Sequence, residues 1–112
     1  MKIIFFGGSF DPLHIGHLTI AETSLKNCDF FLFIPAKQSP HKSSLPVISD
    51  FHRIKMLELI ASSLSNTKVD TFELQRGSPS LTWETIQHLK SKYKNVSITM
   101  AIGEDILDRI ES

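Results

Sequence analysis

Two histidines, His14 and His17, stand three residues apart near the start of the chain, where a helical pattern begins. Side chains at positions i and i+3 share one face of a helix. The first turn of a helix also presents unbonded backbone N–H groups and the positive end of the helix dipole. Imidazoles and backbone together predict an anion site, and above all a phosphate site.

The turn before these histidines is Gly7-Gly8-Ser9-Phe10. Glycines let backbone N–H groups approach phosphate oxygens closely, although a tight strand-to-helix turn would use them as well. Neither the P-loop pattern nor the Gly-x-Gly-x-x-Gly pattern of dinucleotide-binding proteins occurs here. A metal site on the two histidines with Asp11, or a merely polar helix start, remains an alternative. We predict phosphate binding and no protein-held metal.

Three later segments carry further candidate groups. Lys42 lies in a basic loop, residues 36–48, and can supply a cation to a triphosphate, although most loop lysines are simply solvated. Residues 76–83 begin a helix whose N–H groups and hydroxyls can bind a carboxylate or phosphate, or merely cap the helix. Asp105, just after Gly103, can bind a ribose hydroxyl or only start a helix.

The composition is that of a globular protein with balanced charge. A chain of 112 residues predicts one domain, residues 1–112, and it carries 12 basic and 12 acidic side chains. Without a general basic field, binding to a nucleic-acid backbone is not expected.

The single cysteine, Cys28, excludes an intrachain disulfide and is expected to be a small buried residue. The apolar run at the N-terminus is too short for a signal peptide or a membrane span. We therefore expect a cytoplasmic protein without a membrane partner.

Apolar runs rich in β-branched and aromatic residues alternate with stretches of helical spacing. Predicted strands cover residues 2–6, 30–35, 68–74 and 97–102. Predicted helices lie around 18–25, at 54–64 after a cap at Ser49 or Asp50, at 80–93, and after Gly103. Ile86 and Leu89 are expected on the buried side of the third helix. Trp83 could stack on a base, but for a single Trp we expect a place in the core.

This alternation predicts an α/β fold with a mainly parallel sheet and helices on both faces. In such sheets, ligands bind beyond the carboxyl ends of the strands. The loops that follow the four strands are therefore expected to line one crevice.

The motifs occur in an order that resembles a known family. Gly7-Gly8-Ser9-Phe10-Asp11-Pro12-x-His14-x-Gly16-His17 resembles the signature of nucleotidyltransferases with the His-x-Gly-His motif. The segments that follow resemble bacterial nicotinate-nucleotide adenylyltransferases. They are Pro40-His41-Lys42, Arg53-x-x-Met56-Leu57, Arg76-x-x-Pro79-Ser80-x-Thr82-x-x-Thr85-Ile86 and Ile102-Gly103-x-Asp105.

The resemblance implies a Rossmann-like fold and adenylyl transfer from ATP to nicotinate mononucleotide, giving deamido-NAD and pyrophosphate, with Mg²⁺ accompanying ATP. It implies catalytic roles for His14, His17 and Lys42. The residues it implies for ATP are Gly7, Gly8, Ser9, Phe10, His14, His17, Gly103 and Asp105. The residues it implies for nicotinate mononucleotide are Arg76, Ser80, Leu81 and Thr82.

The chain departs from the family pattern in two ways. Leu81 stands where family members commonly have Tyr, and no Ser/Thr-rich C-terminal phosphate motif occurs. We therefore expect a sheet that is incomplete on its C-terminal side, weak or no activity of this chain alone, and self-association into a homo-oligomer. The alternatives are another adenylyl- or cytidylyltransferase with the same motif, or a non-catalytic nucleotide-binding remnant.

Overall fold

The computed structural model describes residues 1–8, 10, 15–36, 49–76 and 82–101. Strands and helices alternate along them, as predicted. The elements are β1 (Lys2–Gly8), α1 (Ile15–Leu25), β2 (Phe30–Pro35), α2 (Asp50–Ser63), β3 (Thr67–Val69), α3 (Phe72–Gln75), α4 (Thr82–Lys92) and β4 (Ser97–Met100).

The four strands form one parallel sheet in the order β3-β2-β1-β4. Strand β1 is central, because Ile4 pairs with Phe31 of β2 on one side and with Thr99 of β4 on the other. Among the described strands, β3 and β4 are the edges. The predicted parallel, Rossmann-like α/β fold is confirmed.

Alternate side chains of the central strands pack against helices on opposite faces of the sheet. One face carries Ile4, Phe6, Phe31 and Phe33, which pack with Ala21 of α1 and Leu57 of α2. The other face carries Ile3, Phe5, Leu32 and Ile34, which pack with Leu89 of α4. Since neighbouring residues of a strand point to opposite faces, these continuous apolar runs serve a sheet that is covered on both sides.

Helix α2 begins as its cap residue predicts. The Ser49 hydroxyl accepts a hydrogen bond from the His52 backbone N–H at 3.3 Å, which satisfies one donor of the first turn. The buried residues of the helix are Arg53, Leu57 and Ala61, at a spacing of four. This spacing directs a single stripe toward the sheet.

The strand predicted at residues 68–74 is wrong beyond Val69. Strand β3 ends at Val69, and Phe72–Gln75 forms the short helix α3. The Asp70 carboxylate accepts a hydrogen bond from the Phe72 N–H at 2.9 Å and so turns the chain out of the sheet. Apolar content alone had suggested a longer strand.

The expectation that Trp83 lies in the core is also wrong. Its side chain is 62% exposed and borders an open cavity of about 410 Å³ between α3 and α4. The core positions of α4 are taken by Ile86 and Leu89, as predicted. Cys28 is only half-buried, against the α1/α2 face.

Two predicted elements lie outside the described residues: the loop at 36–48 beyond Ala36, and the helix after Gly103. Within the described part of the chain, no helix is both long and apolar enough to cross a membrane.

Candidate functional site at the carboxyl end of the first strand

The order of the strands reverses at β1. The chain proceeds from β1 outward through β2 to β3 and then returns to place β4 on the opposite side of β1. In a parallel sheet this reversal leaves a crevice at the carboxyl ends of the two strands on either side of it. Gly7 and Gly8 end β1 at this point, and Met100 ends β4.

Gly7 and Gly8 leave the end of β1 without side chains, although their described neighbours would tolerate a Cβ at either position. A Cβ at Gly7 would meet the Ile34 carbonyl oxygen at 3.7 Å. A Cβ at Gly8 would meet ring carbons of Phe10 at 3.6 to 3.8 Å. Both are ordinary contact distances, so packing alone does not exclude a side chain. A ligand that approaches the backbone closely would require glycine.

Phe10 lies just beyond the end of β1, with an unusual backbone conformation and a buried ring. Its φ is 50°, in the left-handed region that a bulky residue rarely adopts. Its ring is 3% exposed and meets Phe6 and Phe33 edge-to-face at centroid distances of 5.4 and 5.7 Å. Because the ring belongs to the core, Phe10 can offer a nucleotide only its backbone.

His17 lies in the first turns of α1, against the same aromatic group. Its imidazole centroid is 5.0 Å from the ring of Phe10 and 5.8 Å from that of Phe6. The side chain is half-buried. Contacts with two rings restrict the orientation of the imidazole, as a group that must meet a ligand in one geometry requires.

Arg76 and Thr82 flank residues 77–81, which the structure does not describe. The Arg76 guanidinium donates to the Glu84 carboxylate of α4 and lies 5.9 Å from the Phe72 ring centroid. Thr82 is the exposed first residue of α4. The binding of the acceptor substrate by Arg76 stays a prediction; in the structure this side chain ties α3 to α4.

A second bond joins the same two helices. The Thr85 hydroxyl donates to the Glu73 carboxylate at 2.8 Å. Burial raises the pKa of Glu73, an effect that the bond from Thr85 and the charge of Arg76 oppose in part. Two side-chain bonds therefore hold α3 against the first turn of α4.

Asp70, directly after β3, is a buried carboxylate with two polar partners that reach the surface. Its carboxylate is paired with His88 at 3.0 Å and accepts from Lys92 at 3.4 Å. The His88 ring stacks on Phe72 at a centroid distance of 4.0 Å. Burial alone would raise the pKa of Asp70, but the hydrogen bonds from the Phe72 N–H and from His88, with the positive charge of Lys92 nearby, hold it below its usual value.

Of the predicted site residues, the structure brings Gly7, Gly8, Phe10 and His17 together at the end of β1. Arg76 and Thr82 lie at the edge formed by α3 and α4. The remaining predicted site residues lie outside the described part of the chain: Ser9, His14, Lys42, Ser80, Leu81, Gly103 and Asp105. Within the described residues, no three His, Cys, Asp or Glu side chains are grouped so that they could hold a metal ion.

Arg53 was not predicted as a site residue, yet it is fully buried below the end of β2. The sequence does carry a signal for it. Arg53, Leu57 and Ala61 recur at helical spacing, and an arginine in an apolar stripe needs polar partners inside the fold.

A parallel sheet of this order, with a crevice beyond a glycine-ended first strand, is typical of α/β nucleotide-binding folds. The profile of the cytidylyltransferase-like family matches residues 5–112. The chain belongs to this family.

Relatives within the family share one name. The nicotinate-nucleotide adenylyltransferase of Bacillus subtilis is 38% identical over 96% of this chain and 58% of its own length. A relative from Staphylococcus epidermidis, named a probable enzyme of the same kind, is 35% identical over 98% of this chain and 59% of its own length. The predicted resemblance is confirmed, and the chain spans somewhat more than half the length of these relatives.

The fold likewise matches a solved structure. The nicotinic acid mononucleotide adenylyltransferase of Plasmodium falciparum, determined with NaAD, superposes with a TM-score of 0.77 at 21% identity. The match covers 99% of this chain and 56% of that protein. At this identity the likeness shows the fold.

Proposed function

We propose that this chain provides the nucleotide-binding part of an enzyme that transfers the adenylyl group of ATP to nicotinate mononucleotide, giving deamido-NAD and pyrophosphate in NAD biosynthesis. One observation carries the proposal. Bare glycines end β1 at the reversal of the strand order, and His17 is oriented beside them. The names of the relatives supply the reaction.

In the proposed reaction, a phosphate oxygen of nicotinate mononucleotide attacks the α-phosphorus of ATP. The new P–O bond forms as the bond to the β-phosphate breaks, and pyrophosphate leaves with the electron pair. The nucleophile belongs to the substrate, so the protein needs only to position two phosphates and stabilise charge. Mg²⁺ enters with ATP, bound to its phosphate oxygens.

The roles proposed for the residues follow from this chemistry. The backbone of Gly7, Gly8, Ser9 and Phe10 approaches the nucleotide. His14, His17 and Lys42 donate to phosphate oxygens whose charge grows in the transition state. Gly103 and Asp105 take the adenosine side.

The acceptor is proposed to bind at the start of α4. Free N–H groups there, with the hydroxyls of Ser80 and Thr82, suit the carboxylate of the nicotinate ring. Leu81 offers its backbone in the same turn. The bond of Arg76 to Glu84 supports this position, because it fixes the helix start that receives the carboxylate.

Pyrophosphate release from ATP tests the proposal. We expect nicotinate mononucleotide to be preferred as the acceptor over nicotinamide mononucleotide and phosphopantetheine. We expect ATP to be preferred over CTP as the donor. His17→Asn should lower kcat about 100-fold, as the loss of one transition-state donor does elsewhere. His52→Asn, an exposed histidine on α2, is the matched control and should leave kcat unchanged.

Two expectations are measured alongside. Weak activity of the 112-residue chain alone stays a prediction, and so does its self-association, which analytical ultracentrifugation measures. Calorimetry with ATP covers the case of low turnover. If the wild type binds ATP no more tightly than His17→Asn, the non-catalytic alternative replaces the proposed reaction.

A further inference from the structure

Arg53 is a fully buried cation whose described partners lie at the ends of two elements. The side chain of Arg53 is 0% exposed. One terminal nitrogen, Nη1, donates to the Ala36 carbonyl at 3.2 Å, and the other, Nη2, pairs with the Asp50 carboxylate. Ala36 directly follows β2, and Asp50 begins α2. Burying a guanidinium is costly, so a position that holds one depends on these bonds.

Ala36 passes this contact on to the candidate nucleotide site. Its N–H donates to the Gly8 carbonyl at 2.8 Å, while its C=O accepts from Arg53. One residue therefore connects the buried guanidinium to the last residue of β1. The series Asp50, Arg53, Ala36 and Gly8 lies entirely within the described residues.

We propose that Arg53 is a positioning residue for the nucleotide site, acting through Ala36 on the glycine turn at Gly8. This inference rests on the proposed function, because it assigns Gly8 to the nucleotide. Arg53 itself touches neither the substrate nor the reacting atoms. It holds the Ala36 carbonyl in place, and the N–H of the same residue holds Gly8. The Asp50 carboxylate in turn orients the plane of the guanidinium.

The experiment compares Arg53→Met, Arg53→Lys and Asp50→Asn with the wild type. Lys55→Met is the matched control, because Lys55 is a cation on the same helix whose side chain is 60% exposed. Hydrogen exchange of the Ala36 amide is measured against that of Asp70, whose N–H bonds the Phe33 carbonyl at 2.9 Å in the equivalent place beside β2. A global loss of stability affects both amides equally, so their ratio reports the local contact.

In Arg53→Met we expect the protection of the Ala36 amide from exchange to fall about tenfold relative to that of Asp70, because one charge-assisted hydrogen bond is lost. The Kd for ATP, and KM for ATP where turnover is measurable, should rise by a similar factor. KM for nicotinate mononucleotide should change much less. Arg53→Lys should recover part of the effect, since one ammonium reaches a single partner, and Lys55→Met should show none.

The result that overturns the inference is an unchanged Ala36 to Asp70 ratio, or equal increases in the two KM values. If Arg53→Met does not fold, Asp50→Asn decides by the same ratio, with a smaller change in the same direction expected. Exchange and ATP calorimetry need no turnover. A wild type that binds ATP no more tightly than His17→Asn therefore contradicts the proposed function, while the Ala36 to Asp70 ratio still tests the role of Arg53.

Discussion

Substituting alanine for Gly8 tests whether this glycine is needed for the stability of the fold or for nucleotide binding. Gly8 ends β1 with a φ outside the left-handed region, and an added Cβ would lie 3.6 Å from the Phe10 ring. Described neighbours therefore accept a methyl group without moving. Alanine also restricts the unfolded chain more than glycine does, which stabilises a folded protein by about 0.4–1 kcal/mol at compatible positions.

Nucleotide binding should change in the opposite direction. If the backbone N–H groups at Gly8 bind a phosphate oxygen as proposed, a methyl group at this position would hinder the close approach that glycine allows. Losing one such charge-assisted hydrogen bond costs about 1.5–3 kcal/mol, which weakens ATP binding about tenfold to a hundredfold. Gly8→Ala should therefore be as stable as the wild type or slightly more so, and bind ATP markedly less.

Urea unfolding gives the free energy of unfolding, and calorimetry gives the Kd for ATP. Lys2→Ala, an exposed position at the opposite end of β1, serves as the control and should change neither quantity. The reasoning is refuted if Gly8→Ala binds ATP as tightly as the wild type. It is equally refuted if the variant loses more than about 1 kcal/mol, since the glycine would then be needed by the fold.

Three further predictions concern the rest of the fold. The pKa of Asp70 is held low, so its contribution to the free energy of unfolding is present above about pH 4 and is lost as pH falls through the folded pKa. Asp70→Asn should lower the free energy of unfolding by about 1–3 kcal/mol at pH 7 and reduce its decline at acid pH, as urea unfolding at several pH values measures. Leu89→Ala should cost about 2–5 kcal/mol because Leu89 is fully buried, whereas exposed Lys90→Ala should stay within about 0.5 kcal/mol in the same assay. Trp83, the single tryptophan, should be readily quenched by acrylamide in the folded protein; protection from the quencher would contradict its exposure.

Much of the sheet can be predicted because its central strands are apolar on both faces. The limits of β2, Phe30–Pro35, coincide with those of the predicted strand, because the buried residues of this strand are the residues of one continuous apolar run. The parallel arrangement follows from the alternation with helices. Neither inference requires knowledge of any single contact.

The errors arise where one polar side chain decides the path of the chain. Asp70 captures the Phe72 N–H and ends β3, although Phe72 and Leu74 would suit a strand equally well. Trp83 lies outside the core because Ile86 and Leu89 already fill the face of α4 that meets the sheet. Counting apolar residues does not reveal such competition for one site.

In the candidate site, too, the local groups could be predicted from the sequence, whereas the contacts that support them could not. Residue types and spacing predicted a phosphate site at the start of α1, while its link to Arg53 depends on contacts between residues 17 or more positions apart. The bond between Ala36 and Gly8 joins backbone atoms, which carry no signal in side-chain types. Spacing reveals local groups, and only the fold reveals what supports them.

Phe10 explains why the core and the candidate site depend on each other. A left-handed φ costs a bulky residue on the order of 1–3 kcal/mol, and burial of a phenyl ring contributes about 1.5–3 kcal/mol. The left-handed conformation of Phe10 is therefore maintained only while its ring stays packed against Phe6 and Phe33. Because the His17 imidazole rests on that same ring, the packing that offsets the strain of the turn also orients the histidine.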